Sequence, residues 1–340
     1  AGARRYQRRF AVNLLADAGA TPRDATPKEA AERVVKVRIG IGTGTSVMSG
    51  DELGQIVQDM ESTGFDSLWW SDVLTVPGDD PLAAMAYAAG CARRLKIGTT
   101  MVLPGRNPVR LAKQLATLDR LSGGRLLVTF VLGLRRAAEL DAMGVGAGDR
   151  GRQLDELLPL LRRLWTEDDV EHGGETWKLH GVTVEPKPKQ RPFDVWLGGS
   201  APGALRRAGT LGDGWLPALC TPAEAAAGRR VIEDVAARAG RRIDPEHFGV
   251  SIGYTRGDPP DQLLQRVAAR HAASGADRTG APGPVDIRDL VPDGVDGLRR
   301  VIGRFVDVGF SKFVVRPVVA PLSFSQELRE LADGVLDLQT

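Results

Sequence analysis

Short apolar segments alternate with amphipathic helical segments along most of this sequence, and this alternation limits the fold more than any other feature. The apolar segments are rich in Val, Ile and Leu on both faces, as fully buried parallel strands are. Strands are predicted at residues 37–44, 66–72, 95–103, 125–133, 194–200, 213–218, 248–255 and 312–319. The pattern predicts an α/β fold, a (β/α)8 TIM barrel. A doubly wound sheet is the alternative, but no Gly-x-Gly-x-x-Gly motif opens the first helix.

Two insertions interrupt the alternation, one after strand 4 and one after strand 7. Residues 166–193 contain a predicted hairpin that turns at Gly173 and Gly174. Residues 256–297 are rich in Gly, Pro and Asp, and a helical pattern covers only residues 261–273. A loop of this length in a compact domain is either an active-site lid or lacks fixed structure.

The domain organisation and composition exclude several classes of protein. Residues 1–36 are expected to be an N-terminal extension, and residues 37–340 a single barrel domain. The 45 basic and 43 acidic residues nearly cancel, which gives no case for nucleic-acid binding. No apolar run reaches membrane-spanning length and no secretory signal is recognisable, so a cytoplasmic location away from membranes is expected. The two cysteines, Cys91 and Cys220, exclude a disulfide framework.

The carboxyl-terminal ends of the predicted strands, where TIM barrels carry their active sites, hold few acids or bases. Candidates to donate or polarise a proton are Asp72, Tyr254 and Arg316. No metal site is predicted, because the histidines lack ligand spacing and are expected at the surface. Four further strand-end residues are candidates for contacts to a cofactor: Thr43, Ser71, Thr100 and Met101.

The sharpest local feature is a run of small residues, Gly198–Gly203, between the fifth predicted strand and the helix that follows it. Free backbone N–H groups and the helix dipole favour a phosphate at such a turn. Ser200 adds a hydroxyl donor, and Pro202 suits the first helical turn. A tight turn without a ligand is the alternative, but barrel phosphate sites cluster in the late loops.

A phosphate anchor with few acid or base groups favours an organic cofactor that carries the chemistry itself. A flavin-like ring and tail fit this description. Apolar residues near the strand ends are candidates to sandwich the ring, although Met and Trp in barrel strands are more often plain core. These residues are Met101, Leu103, Leu132 and either Trp69 or Trp70.

Several sequence blocks, in their order along the chain from about Val37 to the C terminus, resemble the luciferase-like flavin and deazaflavin oxidoreductases. The block Leu211-Gly-Asp-Gly-Trp215 is similar to the branch that uses the deazaflavin coenzyme F-420 more than to the aldehyde luciferases. The other blocks are Glu61–Asp72, Ile97–Pro104 with Asn107-Pro108, Gly123–Leu126, Asp149–Trp165 and Val195–Ser200.

The resemblance implies where the cofactor binds. A bulge and a non-proline cis peptide in the third strand, at Thr100 and Met101, would cradle the deazaflavin ring. Such a bond costs about 3–4 kcal/mol and persists only where its surroundings dictate it. The phosphate loop of the family falls on Gly199, Ser200, Ala201, Pro202 and Gly203. FMN is the alternative cofactor.

Two departures from the family's pattern bear on the reaction. Members that oxidise alcohols often read Ser-Asp-His after the second strand, whereas this chain reads Ser71-Asp72-Val73. The fourth strand ends at Gly133-Leu134 without the acid of the sugar-phosphate branch. Oxidation that needs a strong base is therefore disfavoured, because neither base is present.

The favoured hypothesis is a coenzyme F-420-dependent reductase that delivers hydride to an activated C=C or C=N bond of a small molecule, in specialised (secondary) metabolism. The first alternative is an FMNH2-dependent monooxygenase. The second is a non-catalytic barrel subunit, because fold alone does not establish activity. Family members are often dimers, so a homodimer is expected.

Overall fold

The computed structural model describes residues 36–257, 259–275 and 285–340, and the bounds below refer to these residues. The strands are β1 Arg38–Gly42, β2 Ser67–Ser71, β3 Lys96–Val102, β4 Leu126–Val131, β5 Val170–Gly173, β6 Lys178–Val182, β7 Val195–Leu197, β8 Gly214–Trp215, β9 Gly249–Tyr254 and β10 Lys312–Pro317. The helices are α1 Gly50–Thr63, α2 Pro81–Cys91, α3 Pro108–Leu121, α4 Ala137–Met143, α5 Arg150–Thr166, α6 Pro202–Leu211, α7 Pro222–Arg238, α8 Asp261–Ser274, α9 Ile287–Leu290, α10 Gly294–Asp307 and α11 Phe324–Val335.

Local sequence signals explain where the helices begin and end. Ser49 and Glu52 form a reciprocal capping box at the start of α1, and Gly64 ends it with a φ of 95°. Asn107 caps α3 ahead of Pro108. These signals set each helix to start at the carboxyl end of a strand, which leaves the strand ends free to form a site.

Eight parallel strands form a nearly closed barrel, as the alternation predicts. Their order is β8-β7-β4-β3-β2-β1-β10-β9. Two isolated parallel bridges, Trp215 with Phe248 and Ala218 with Ser251, join β8 to β9 and complete the ring. The prediction of a (β/α)8 barrel is confirmed. The hairpin predicted in residues 166–193 is also present, as the antiparallel pair β5 and β6.

Two tryptophans and neighbouring aliphatic side chains fill the middle of the barrel. Trp69, Leu216 and Val314 form a buried cluster of their own, with Leu127 and Trp196 packed against it. Inward-facing glycines make room for the indoles. A Cβ on Gly98 would lie 2.5 Å from the Trp69 ring, and one on Gly214 would lie 2.5 Å from the Trp196 ring. This cluster is called the floor below, because it closes the barrel beneath the strand ends.

A buried ion cluster holds the amino-terminal end of the barrel. Asp66 contacts Lys312, whose side chain is 4% exposed, and lies 2.9 Å from Lys96 Nζ. Although burial opposes ionisation, the two lysines lower the pKa of Asp66. This end of a TIM barrel serves stability and not catalysis.

The predicted extension, residues 1–36, lies outside the described residues except for Lys36. In the second insertion, α8 confirms the helical pattern of residues 261–273. Within the described ranges no helix is long and apolar enough to cross a membrane. The same residues contain no group of three His, Cys, Asp or Glu side chains placed to hold a metal ion.

Candidate functional site

The strand ends above the floor are lined mainly by small residues. Because side chains alternate across a strand, Ser71 and Thr100 face inward with Trp69 and Gly98. Glycines take the corresponding inward positions on three other strands: Gly42 on β1, Gly198 at the end of β7 and Gly253 on β9. The result is a cradle above the floor whose walls are largely backbone.

The turn that is predicted to bind phosphate lies between β7 and α6. Ala201 is the N-cap of α6, and no side chain of the described residues caps the helix, so its first N–H groups have no side-chain acceptor there. Ser200 is buried, and its hydroxyl has no hydrogen-bond partner among the residues that the structure describes. Gly199 has a φ of 94°, in the left-handed region that glycine favours. An orphaned buried hydroxyl beside an uncapped helix start is the arrangement expected of an anion site.

Two residues of the block Leu211–Trp215 hydrogen-bond to this loop and to the strand before it. Trp215 Nε1 donates to the carbonyl oxygen of Gly199 at 2.9 Å. Asp213 accepts from Arg162 at 2.7 Å and from the backbone N–H of Val195 at 2.9 Å, which fixes the start of β7. The motif that pointed to the deazaflavin branch therefore positions the loop.

Asp72 holds two strand ends together. Its Oδ2 accepts from the backbone N–H of Val102 at 3.0 Å and from Arg106 Nη2 at 2.7 Å, and its side chain is almost fully buried. Thr43 is locked in the same way, since its N–H donates to the carbonyl of Trp69 at 2.9 Å. Both predicted site residues lie at the strand ends, with their polar atoms engaged in joining strands.

Tyr254 lies on the opposite face of β9 from the cradle. It follows the inward-facing Gly253, belongs to the main core between barrel and helices, and donates its hydroxyl to Glu327 on α11. Burial and the Glu327 carboxylate raise the pKa of Tyr254 well above its ordinary value. The structure does not bring Tyr254 together with Asp72 or Arg316.

Tyr254 also borders a cleft of about 420 Å³, formed by the loops after β9 and β10 and by α8. This cleft lies beside the cradle, and none of the predicted cofactor contacts lines it.

Arg316 faces the cradle from the end of β10. Its Nη2 lies 3.6 Å from the position that a Cβ would take on Gly253, and its Cβ lies 3.1 Å from that position on Gly42. Within the described residues no hydrogen bond or ion pair engages its guanidinium. Burial and the positive charge of Arg270 lower the pKa of Arg316. An unpaired guanidinium in this position can polarise or anchor an anionic oxygen.

The third strand differs from the expectation carried by the resemblance. The peptide bond between Thr100 and Met101 is trans, and the cis bonds of the described residues are Glu185–Pro186 and Arg191–Pro192. β3 pairs in unbroken register with β2 through Thr100 and with β4 through Val102, so the expected bulge is also absent from this strand. Met101 is fully buried in the helix-facing core. The prediction of a cis bond and bulge was wrong, because continuous pairing on both sides keeps β3 regular.

Sequence reasoning also missed residues that shape the mouth of the barrel. Arg150 donates to the carbonyls of Leu132 at 3.2 Å and Gly133 at 2.9 Å and so caps the end of β4. His271 was expected at the surface, but it is buried with its Nε2 2.9 Å from Glu224 Oε1. This pairing fixes α8 to the start of α7. The helical position of His271 gave no signal of its partner 47 residues away.

The residues of the cradle and loop fit a flat cofactor with an anionic tail. Small inward residues leave space above the floor, and the orphaned Ser200 hydroxyl with the uncapped α6 start suits a phosphate. A deazaflavin or flavin held there would supply hydride or electron chemistry. The side chains facing the cradle provide hydroxyls and a guanidinium.

These features define a TIM barrel with a cradle at its carboxyl end, and comparison with known proteins places it in a family. The model of the luciferase-like monooxygenase family matches residues 32–294, so the chain belongs to that family.

Two relatives are named F-420-dependent glucose-6-phosphate dehydrogenase. The protein of Intrasporangium calvum is 27% identical over 295 residues, 75% of this chain and 85% of its own. That of Kineococcus radiotolerans is 29% identical over 198 residues, 54% of this chain and 56% of its own. The match thus spans little more than half the length of the second relative.

Solved structures share the fold over most of the chain. Monooxygenase RslO1 from Streptomyces bottropensis superposes with a TM-score of 0.72 at 23% identity, covering 89% of this chain and all of that one. An F-420-dependent secondary alcohol dehydrogenase in complex with an F-420–acetone adduct also gives 0.72, at 18% identity, with 90% and 100% coverage. At these identities the likeness establishes the barrel.

Proposed function

We propose that this protein is a coenzyme F-420-dependent reductase that delivers hydride to an activated C=C or C=N bond of a small molecule. The observation that carries the proposal is which side chains face the cradle. Its inward-facing positions on β1, β2, β3, β9 and β10 are Gly42, Ser71, Thr100, Gly253 and Arg316, none of which is a base at neutral pH.

The absence of a base from these positions favours reduction over oxidation. An alcohol gives up a proton as it loses hydride, so its oxidation profits from a positioned base with a pKa near the working pH. Reduction of an activated double bond needs hydride and a proton that water can supply. Asp72, the nearest acid in sequence, is bonded to Val102 and Arg106.

Support for F-420 over FMN comes from the loop and from the relatives. Trp215, the last residue of the block that resembles the deazaflavin branch, holds the carbonyl of Gly199. Two relatives with F-420 in their names align with this chain, one of them over 75% of its length. An FMNH2-dependent monooxygenase remains the second candidate, because the family is named for monooxygenases and one relative is named a flavin-dependent monooxygenase.

The test removes the Ser200 hydroxyl, which has no hydrogen-bond partner among the described residues. Coenzyme F-420 is titrated into the wild-type protein and into Ser200→Ala, with binding followed by ring fluorescence. Wild type should bind at micromolar concentration, and the loss of one hydrogen bond to a phosphate should weaken binding by roughly tenfold or more.

Ser122→Ala is a matched control, because Ser122 is also buried but bonds the carbonyl of Asp119, far from the loop. The control should leave coenzyme affinity within twofold of wild type. If wild type does not bind the coenzyme at micromolar concentration, the proposal fails. Oxygen uptake that depends on FMNH2 and a substrate would favour the second candidate.

A further inference from the structure

The cleft beside the cradle has three walls at the carboxyl end of the barrel. Tyr254–Gly257 at the end of β9 form one wall, Val319–Leu322 after β10 form the second, and Leu263 near the start of α8 belongs to the third. The space between them is about 420 Å³. A protein cavity of about 150 Å³ already holds a molecule as large as benzene, so this cleft has room for a larger small molecule.

The walls of the cleft are apolar although they face solvent. Val319 is 69% exposed and Leu322 is fully exposed. Pro260, Pro317 and Pro321 add the apolar faces of their rings. Single exposed apolar residues are ordinary, but several of them around one concave space mark a site for an apolar ligand.

The cleft offers no free charge to a ligand. Among the described residues that line it, Arg256 is the one charged side chain. Arg256 Nε donates to Glu327 at 2.5 Å, and its Nη1 donates to Glu330 at 2.6 Å. An anionic ligand would have to compete with these two carboxylates for the guanidinium. The lining therefore favours an uncharged molecule.

One polar group of the cleft lacks a partner. Thr255 is 7% exposed, and its Oγ1 has no hydrogen-bond partner among the described residues. The backbone that carries this hydroxyl is held on both sides, because its N–H donates to the carbonyl of Pro292 at 3.1 Å and its carbonyl accepts from Gly294 at 2.7 Å. A buried hydroxyl without a partner needs one from water or from a ligand.

The cleft adjoins the cradle at the ends of β9 and β10. Thr255 lies two residues beyond the inward-facing Gly253 and, by the alternation of the extended chain, on the same side. Val318 also faces inward, since its Cγ2 lies 3.0 Å from the position that a Cβ would take on Gly253. Leu263 and Val267 of α8 belong to the apolar cluster that packs with Val318. A molecule in the cleft therefore lies next to the cradle.

We propose that this cleft binds the substrate, as an uncharged and mainly apolar molecule whose carbonyl oxygen accepts a hydrogen bond from Thr255. The proposal rests on the proposed function and deepens it, because the molecule bound is the one that would be reduced in the cradle. Its apolar part lies against Leu263, Val319 and Leu322. A carbonyl conjugated to a C=C bond also activates that bond toward hydride.

Saturated methyl ketones from butanone to 2-heptanone are the probes, because they lengthen the apolar chain beside a constant carbonyl and have no C=C bond to be reduced. Saturation-transfer NMR measures their binding to the full chain, with and without coenzyme F-420. Affinity should rise about two- to fourfold with each added methylene, since the cleft removes part of each group from water. Heptanoate should bind about tenfold or more weakly than 2-heptanone, because burying its charge is costly.

Two variants assign the binding to this cleft. Thr255→Val keeps the shape of the side chain and removes the hydroxyl, so every ketone should bind about three- to tenfold more weakly with the same gain per methylene. The double variant Val319→Ser and Leu322→Ser should instead reduce the gain per methylene. Both of its residues are exposed, so it should fold even if Thr255→Val does not.

Leu121→Ser is the matched control, because Leu121 is 64% exposed at the end of α3, where the chain returns to the amino-terminal end of the barrel. The control should bind the ketones as wild type does.

The outcomes separate this proposal from the proposed function. Equal affinity along the ketone series, or heptanoate binding as tight as that of 2-heptanone, would overturn it. Wild-type binding by both cleft variants would also overturn it, because the ketones would then lie elsewhere. If no coenzyme binds but the ketones behave as expected, the proposed function fails and the cleft stands as a site for uncharged apolar molecules. If the coenzyme binds and the ketones do not, the cleft proposal fails alone.

Discussion

Replacing Tyr254 with Phe distinguishes a structural tyrosine from a catalytic one. Tyr254 is 1% exposed and donates to Oε1 of Glu327, whose side chain is equally buried. Glu327 keeps Arg256 Nε at 2.5 Å on its other oxygen, so its charge is not left wholly unpaired. Removing the hydroxyl should therefore cost one hydrogen bond to a charged group, about 2 kcal/mol in unfolding free energy.

That loss corresponds to a fall in Tm of roughly 4–8 °C, using the scale for large domains. Differential scanning calorimetry gives the value, and a fluorescence titration should give unchanged coenzyme affinity. Tyr87→Phe is the matched control, because Tyr87 is 45% exposed on α2 and its variant should stay within about 0.5 kcal/mol of wild type. A Tyr254→Phe protein with wild-type Tm and tenfold weaker coenzyme binding would refute the assignment of Tyr254 to the helix-facing core.

Two further predictions concern the barrel itself. Gly98→Ala should destabilise by about 1–3 kcal/mol, because its Cβ would meet the Trp69 ring at 2.5 Å, and chemical denaturation measures this. The control Gly90→Ala, with open space at its Cβ, should instead stabilise α2 by about 0.5–1 kcal/mol; equal effects would contradict the packing of the floor. Asp66→Asn should lose about 3–5 kcal/mol at neutral pH, since it strands the buried Lys312. Because the pKa of Asp66 is lowered on folding, its stabilisation is complete above the ordinary carboxyl pKa of about 3.9 and is lost as pH falls below it. Below about pH 4 the stability of the wild type should thus fall more steeply with pH than that of Asp66→Asn, and equal slopes of the two proteins in this range would be inconsistent with this pairing.

The fold was predictable because its strands are apolar on both faces and regularly spaced. The helices carry an equally local signal. In α10, buried apolar residues recur at helical spacing: Leu298, Val301, Ile302 and Phe305. The turn at Gly198–Gly203 was also predictable, since a local run of small residues between a strand and a helix forms its own geometry, while phosphate binding there stays a prediction. In each case the information lies within one segment of the chain.

The rest of the site depends on contacts between distant segments. The side of β9 on which Tyr254 lies depends on register, which an apolar strand with no polar alternation does not reveal. Asp72 looks like a free acid in sequence, and only the fold brings Arg106 to it.

The proposed function depends most directly on which cofactor the cradle accepts. Coenzyme F-420 and FMN should be titrated side by side into the same preparation, each followed by its own ring fluorescence. The structure and relatives lead us to expect micromolar binding of F-420 and at least tenfold weaker binding of FMN. Tighter binding of FMN, together with FMNH2-dependent oxygen uptake, would contradict the account and identify a monooxygenase.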